Sequence, residues 1–130
     1  MREASLELLA PRSDVWAFLA EPYHLADWFP GITGVEPDRR GFSPGARWKI
    51  RLNRRNVITG PRPIETMVLV RDIEPFERCA WHVLATKLDF EVRLRSMGPD
   101  RTLVTVATSK GNPAVAARRL FDLVQTAATI

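Results

Sequence analysis

A chain of 130 residues has the length of one ordinary domain and leaves no room for a separate catalytic partner domain, so residues 1–130 read as a single unit. With 45% hydrophobic and 26% charged residues, its balance is that of a soluble globular protein, which excludes a disordered tail, a collagen-like rod and a membrane-embedded chain. The formal net charge of +4 raises nucleic acid or an anionic surface as a partner. The basic residues are, however, nearly all Arg and are scattered among fifteen acids, with Arg39-Arg40, Arg54-Arg55 and Arg118-Arg119 the local pairs; a solvated basic surface accounts for them, and no nucleic-acid partner is expected.

The first element is a short strand over Ala4–Leu9, stopped by Ala10-Pro11. Ser13 or Asp14 is placed to cap a short helix whose apolar side carries Val15, Trp16, Phe18 and Leu19. Glu21-Pro22 breaks that helix, Tyr23 to Trp28 make a second, and Phe29-Pro30-Gly31 ends it. Gly34–Arg39 then reads as a strand, Phe42 to Gly45 as a turn, and Ala46–Asn53 as a strand with Trp48, Ile50 and Leu52 on one face. Residues Arg54 to Pro63 are polar and read as a loop or an extended hairpin tip. Strands follow over Ile64–Glu74 and Arg78–Leu84. The cleanest alternation puts Leu88, Phe90, Val92 and Leu94 opposite Asp89, Glu91, Arg93 and Arg95. Gly98-Pro99-Asp100 turns the chain into a last strand, Thr102–Ser109, with Val104 and Val106 inward. After Gly111-Asn112-Pro113 the period becomes helical: Ala117, Leu120, Phe121, Val124 and Ala128 share a stripe, with Asn112 as cap.

The order is strand, two short helices, about six strands and a terminal helix, an α+β arrangement. The segment LELLAPRSDVWAFLAEPYHLADWFPGITGVE, the Pro44-Gly45 before Trp48, and the Asp72-Ile73-Glu74-Pro75 turn leading to Trp81 resemble the START-like (SRPBCC) superfamily, which includes polyketide cyclase/dehydrase-type and birch-pollen-allergen-like proteins. The resemblance implies a helix-grip fold. In it a curved antiparallel sheet of about seven strands wraps around a carboxy-terminal helix and leaves an elongated cavity between them.

In that fold the expected ligand-binding wall is Trp48, Ile50, Leu52, Met67, Trp81, Phe90, Val92, Leu94, Val104, Val106, Leu120, Phe121 and Val124. Each of these also reads as packed core, since alternating apolar faces exist to be buried in any sheet. The register of Ile64–Glu74 stays open, because Met67-Leu69 and Val68-Val70 fit opposite faces equally well, and a slip of one residue exchanges the sets. Trp28, Phe29 and His24, in and after the second helix, are the expected entrance or lid, with a structural plug as the competing role for the aromatics.

Catalysis needs titratable groups gathered around a substrate, and inward positions hold few. His82 is the best acid-base candidate, although it lies between Trp81 and Val83 and should face opposite to them. Glu65, Thr66, Asp72, Thr86 and Thr108 are placed to put one or two polar atoms at the wall. Two histidines without HExxH, and a single cysteine, Cys79, give no metal site and no disulfide framework. No phosphate loop is present, and no cofactor is expected. With no apolar run of signal-peptide or membrane-spanning length, a cytoplasmic location without membrane insertion is expected.

The expected function is binding of a small hydrophobic or aromatic, lipid- or polyketide-like ligand for carriage, storage or sensing. The resemblance also implies an alternative, a polyketide aromatase/cyclase or dehydratase using the same cavity. A further alternative is an interaction subunit with a filled cavity that forms a homodimer through the outer face or edge of its sheet.

Overall fold

Proline placement sets the start of the fold. Pro11, fixed at φ −61° and ψ 150°, cannot continue a strand ladder, and its carbonyl accepts the amides of Asp14 at 3.0 Å and Val15 at 3.2 Å. Helix α1 therefore runs Arg12–Ala20. Ser13 and Asp14 sit inside its first turn instead of capping it, because Pro11 already holds the N-cap position. Pro22 opens a single 3-10 turn, Pro22–His24, which leads into α2, Leu25–Trp28.

The structure is a computed structural model that describes residues 1–56 and 60–128, with side chains described outside 54–62 and 126–130. Its strands are β1 (Arg2–Leu8), β2 (Ile32–Glu36), β3 (Arg47–Asn56), β4 (Gly60–Glu74), β5 (Arg78–Val83), β6 (Leu88–Gly98) and β7 (Arg101–Thr108). They form one antiparallel sheet in the order β1-β7-β6-β5-β4-β3-β2. Every neighbour from β2 to β7 is consecutive in the chain, and β1 crosses the whole width to pair with β7. Of the two readings for 54–63, the extended hairpin holds, since β3 and β4 pair as far as Asn56 opposite Gly60; the rest of that tip lies outside the described residues.

Pairing Trp48 with Val68 and Ile50 with Thr66 settles the register of β4. Val68 and Val70 are buried, while Met67 lies opposite exposed Lys49. Met67 is thus on the outer face, and its expected place on the inner wall is corrected. A bulge between Val70 and Asp72 adds one residue to β4, so that Ile73 pairs with buried Cys79 and Asp72 turns outward.

Helix α3, Pro113–Ala128, buries Ala116, Ala117, Leu120 and Val124 against β1 and β7, with α1 and α2 beside it. Phe121 is half-buried under the Arg118 guanidinium, 5.1 Å from the ring centre. Ala128 lies outside the described side chains. One helix cannot cover seven strands, and aromatic rings fill much of what it leaves. Trp81 stacks on Phe90 at 5.0 Å and meets Trp28 at 5.8 Å; Phe29 stacks on Phe90 at 4.2 Å; Phe42 joins Trp81, Trp48 and Trp16 at 6.2, 6.4 and 5.5 Å. Thr102 is buried among the apolar groups and gives its hydroxyl to the Ala10 carbonyl at 2.8 Å, a bond that ties β7 to the end of β1.

Candidate functional site

At the end of the sheet where α3 begins, the chain borders a half-open cavity of about 320 Å³. Its walls come from places where elements stop. Phe29, Pro30 and Gly31 follow α2; Leu52 and Asn53 belong to β3; Val83, Thr86 and Leu88 border the β5–β6 turn; Thr108, Lys110, Gly111 and Asn112 end β7; Ala116 is in the first turns of α3. Gly31 takes φ +89°, a conformation that costs glycine nothing, and its carbonyl accepts the Asn53 amide at 2.8 Å. That bond fixes the floor between α2 and β3.

The wall is apolar with a polar corner. Thr86 sits in a four-residue turn beside Lys87, whose φ of 55° closes that turn through the left-handed region. Lys110 Nζ donates to the Thr86 carbonyl at 2.8 Å, which links the β5–β6 turn to the segment after β7. The hydroxyl oxygens of Thr86 and Thr108 are both buried without a hydrogen-bond partner. Asn112 Oδ1 accepts the Ala114 amide at 3.0 Å, so it caps α3 at the same corner. Lys110 is the one ionisable side chain among the described residues of this wall.

Of the residues expected to line a ligand site, the structure puts Leu52 and Phe29 on this cavity. Trp48, Ile50, Trp81, Phe90, Val92, Leu94, Val104, Val106, Leu120 and Val124 are buried in the core beyond it. Trp28 is 1% exposed and backs Phe29 edge-on at 5.7 Å, so it is a packed plug behind the wall. His24 stacks on Phe18 with ring centres 4.1 Å apart and donates from Nδ1 to the Phe18 carbonyl at 2.8 Å. It braces α1 against the 3-10 turn and does not border the cavity.

His82 pairs with Leu69 and Asp89 on the outer face, where its Nδ1 shares a 2.8 Å hydrogen bond with Asp89 Oδ1. The alternation that buries Trp81 and Val83 turns His82 away from the interior, which corrects its candidacy as acid or base in the cavity. Glu65 is likewise outside, 3.5 Å from Arg51. The Thr66 hydroxyl accepts the Ala85 amide at 3.1 Å. Burial pushes the Cys79 thiol well up from its ordinary range, which leaves it a small apolar filler and not a nucleophile. No group of three metal-ligating side chains occurs among the described residues.

Periodicity could not find most of this wall, because strand ends and turns contribute it. Thr86 and Thr108 were legible as polar wall candidates, and Asn112 as a cap.

No family model and no curated protein matches the sequence, but solved structures match the fold over its whole length. A protein from Nitrosomonas europaea is 15% identical, covers 99% of this chain and 96% of its own, and has a TM-score of 0.72. Norcoclaurine synthase from Thalictrum flavum, solved as a point mutant with a transition-state analogue, is 15% identical with 98% and 94% covered and a TM-score of 0.71. The di-domain ARO/CYC StfQ of the steffimycin biosynthetic pathway is 17% identical at a TM-score of 0.65, with 98% of this chain matching 45% of that one. The chain thus has the START-like helix-grip fold. Among its described residues, no helix is long and apolar enough to cross a membrane.

Proposed function

We propose that residues 1–130 act as one START-like unit in the cytoplasm that binds a small hydrophobic or aromatic molecule for carriage, storage or sensing. The observation that carries this reading is the apolar cavity at the start of α3. Its volume of about 320 Å³ lies at the lower end of the range of roughly 300–1,000 Å³ for ligand pockets. At roughly 30 Å³ for a water-sized unit it takes a ligand of about ten such units, comparable to a single substituted aromatic ring.

The aromatase/cyclase or dehydratase reading uses the same space, and two solved structures of this fold carry enzyme names. It ranks second because acid-base chemistry needs proton donors and acceptors disposed about the substrate, and the described wall offers Lys110 alone. The interaction-subunit reading, with a homodimer through the outer sheet face, draws support from the ring-filled core and ranks third because the cavity stays open.

The test compares native with denaturing mass spectra of protein purified without detergent, then titrates 1-aminoanthracene fluorescence. An excess mass lost on denaturation, or saturable probe binding, is expected. Ala116, 1% exposed and on the cavity wall, is the position from which a larger side chain fills the space. Ala116→Phe is expected to abolish probe binding while the variant still melts cooperatively. Unchanged probe affinity in a folded Ala116→Phe protein would show that ligand enters elsewhere.

A further inference from the structure

The turn between β4 and β5 holds an aromatic residue at a position that suits glycine. The Glu77 amide donates to the Glu74 carbonyl at 2.9 Å, which closes a four-residue turn with Pro75 second and Phe76 third. Proline keeps its own φ negative, while Phe76 takes φ +65°. That combination is a type II turn, whose third position ordinarily goes to glycine or asparagine. The left-handed region brings the Cβ of an L-residue too close to the following carbonyl oxygen, and for a bulky side chain such a φ is an outlier.

A ring contact holds it there. The Phe76 ring centre lies 5.9 Å from that of Trp16, yet Phe76 remains 44% exposed. Trp16 is buried and begins a run of rings that continues through Phe42 at 5.5 Å, Trp81 at 6.2 Å, Phe90 at 5.0 Å and Phe29 at 4.2 Å. The run ends at the cavity, beside the far end of β5. Phe76 therefore covers the end of the ring core opposite the cavity.

A single ring pair and one left-handed aromatic residue are of similar size in free energy and opposite in sign, so neither fixes the turn outright. The alternative conformation is close at hand. Rotating the one peptide plane between Pro75 and Phe76 converts type II to type I, which favours proline second and accepts most residues third. The flanks stay as they are: Glu74 pairs with Arg78, and the Glu77 carbonyl keeps the Leu94 amide at 2.8 Å.

We infer that the β4–β5 turn is a two-position lid. Closed, it is a type II turn with Phe76 against Trp16; open, it is a type I turn with the Phe76 ring in water and Trp16 uncovered. Backbone strain of this kind gathers at switch regions and clamps, and here the strained residue is the exposed one that caps the ring core. The lid is independent of what the cavity binds and adds a second approach to the interior.

NMR on the full chain reads the two positions, because the Pro75 Hα and the Phe76 amide proton are close in a type II turn and apart in type I. Phe76→Gly, for which a positive φ costs nothing, is expected to fix the turn as type II with a strong cross-peak. Phe76→Ala, which keeps the Cβ and loses the ring, is expected to turn to type I with a weak one. In the wild type, rotating-frame relaxation of the Phe76 and Glu77 amides and of the Trp16 indole is expected to share one exchange process, with an open state of about 1–10%. The Trp48 indole, bound to the Gly41 carbonyl at 2.8 Å, reports that each variant keeps the fold.

A type II turn in Phe76→Ala would show that the left-handed conformation is not strained and would overturn the switch. Exchange at Phe76 and Glu77 with none at Trp16 would overturn the lid, since the turn would then flip without uncovering anything. No exchange at any of the three would leave a single closed conformation and overturn both.

Discussion

Phe29 separates the cavity from the aromatic interior, and truncating it tests both at once. Its ring stacks on Phe90 at 4.2 Å and lies edge-on to Trp28 at 5.7 Å, with 7% of its surface exposed and another side on the cavity. Phe→Ala changes in cores cost about 3–5 kcal/mol. The ring borders an existing cavity instead of being packed on every side, so the lower end applies, about 3 kcal/mol, of which about 1 kcal/mol is the ring pairing itself. For a chain of this size that corresponds to a fall in melting temperature of about 10 °C. The same change removes the partition and lets the cavity extend toward Phe90 and Trp28. Urea denaturation of Phe29→Ala should therefore show the loss of stability, while 1-aminoanthracene should bind more tightly than to the wild type. A stability loss below about 1 kcal/mol would mean that the ring is not packed as a wall but moves as a lid. Loss of probe binding in a folded variant would mean that Phe29 is itself the ligand's main contact.

Two further changes probe the frame that holds the site. Thr102→Val should cost about 1–3 kcal/mol in urea unfolding, because it strands the buried Ala10 carbonyl that now receives the Thr102 hydroxyl at 2.8 Å; a neutral result would show that water reaches that carbonyl. Asp38 receives the Arg47 amide at 2.9 Å and the Arg40 amide at 3.0 Å, and these backbone donors, Arg47 first, hold its carboxyl below the ordinary value of 3.8. Since the folded state depresses this pKa, its contribution to stability is present above pH 3.8 and is lost as pH falls through the lower folded value. The stability gap between the wild type and Asp38→Asn should be constant near neutrality and narrow below that pH. A gap that does not change with pH in urea titrations would refute the role of the charge.

How much was legible depended on which physical signal each region carries. In β6, Phe90, Val92 and Leu94 are buried and their neighbours are not, so a period of two fixed the inner face without any knowledge of partners. The β4 strand offered no such contrast. Met67, Val68, Leu69 and Val70 are all apolar, and the choice came from cross-strand pairing with Trp48 and from a bulge at Val70–Asp72, neither of which is written locally in the sequence. His82 shows the same limit from the other side: alternation correctly turned it away from Trp81, but only the pairing with Asp89 says what it does there.

The cavity was the least legible feature because it forms where periodicity ends. Alternation marks the middles of strands, and in this chain those middles are filled by the rings of Trp48, Trp81 and Phe90. Helix α3 lies over β1 and β7, so the space beside its first turn is bordered by Phe29-Pro30-Gly31, by Leu52 and Asn53 of β3, by the β5–β6 turn and by the segment after β7. Side chains in such connectors answer to turn geometry and to hydrogen bonding before they answer to packing. That is why a threonine pair, a lysine and a helix cap meet there instead of another leucine. The apolar core and this cavity are thus two results of one geometric constraint: a single helix covers part of a broad sheet, rings take up much of the remainder, and the space beside the first turn of α3 is left where strand ends and connectors meet.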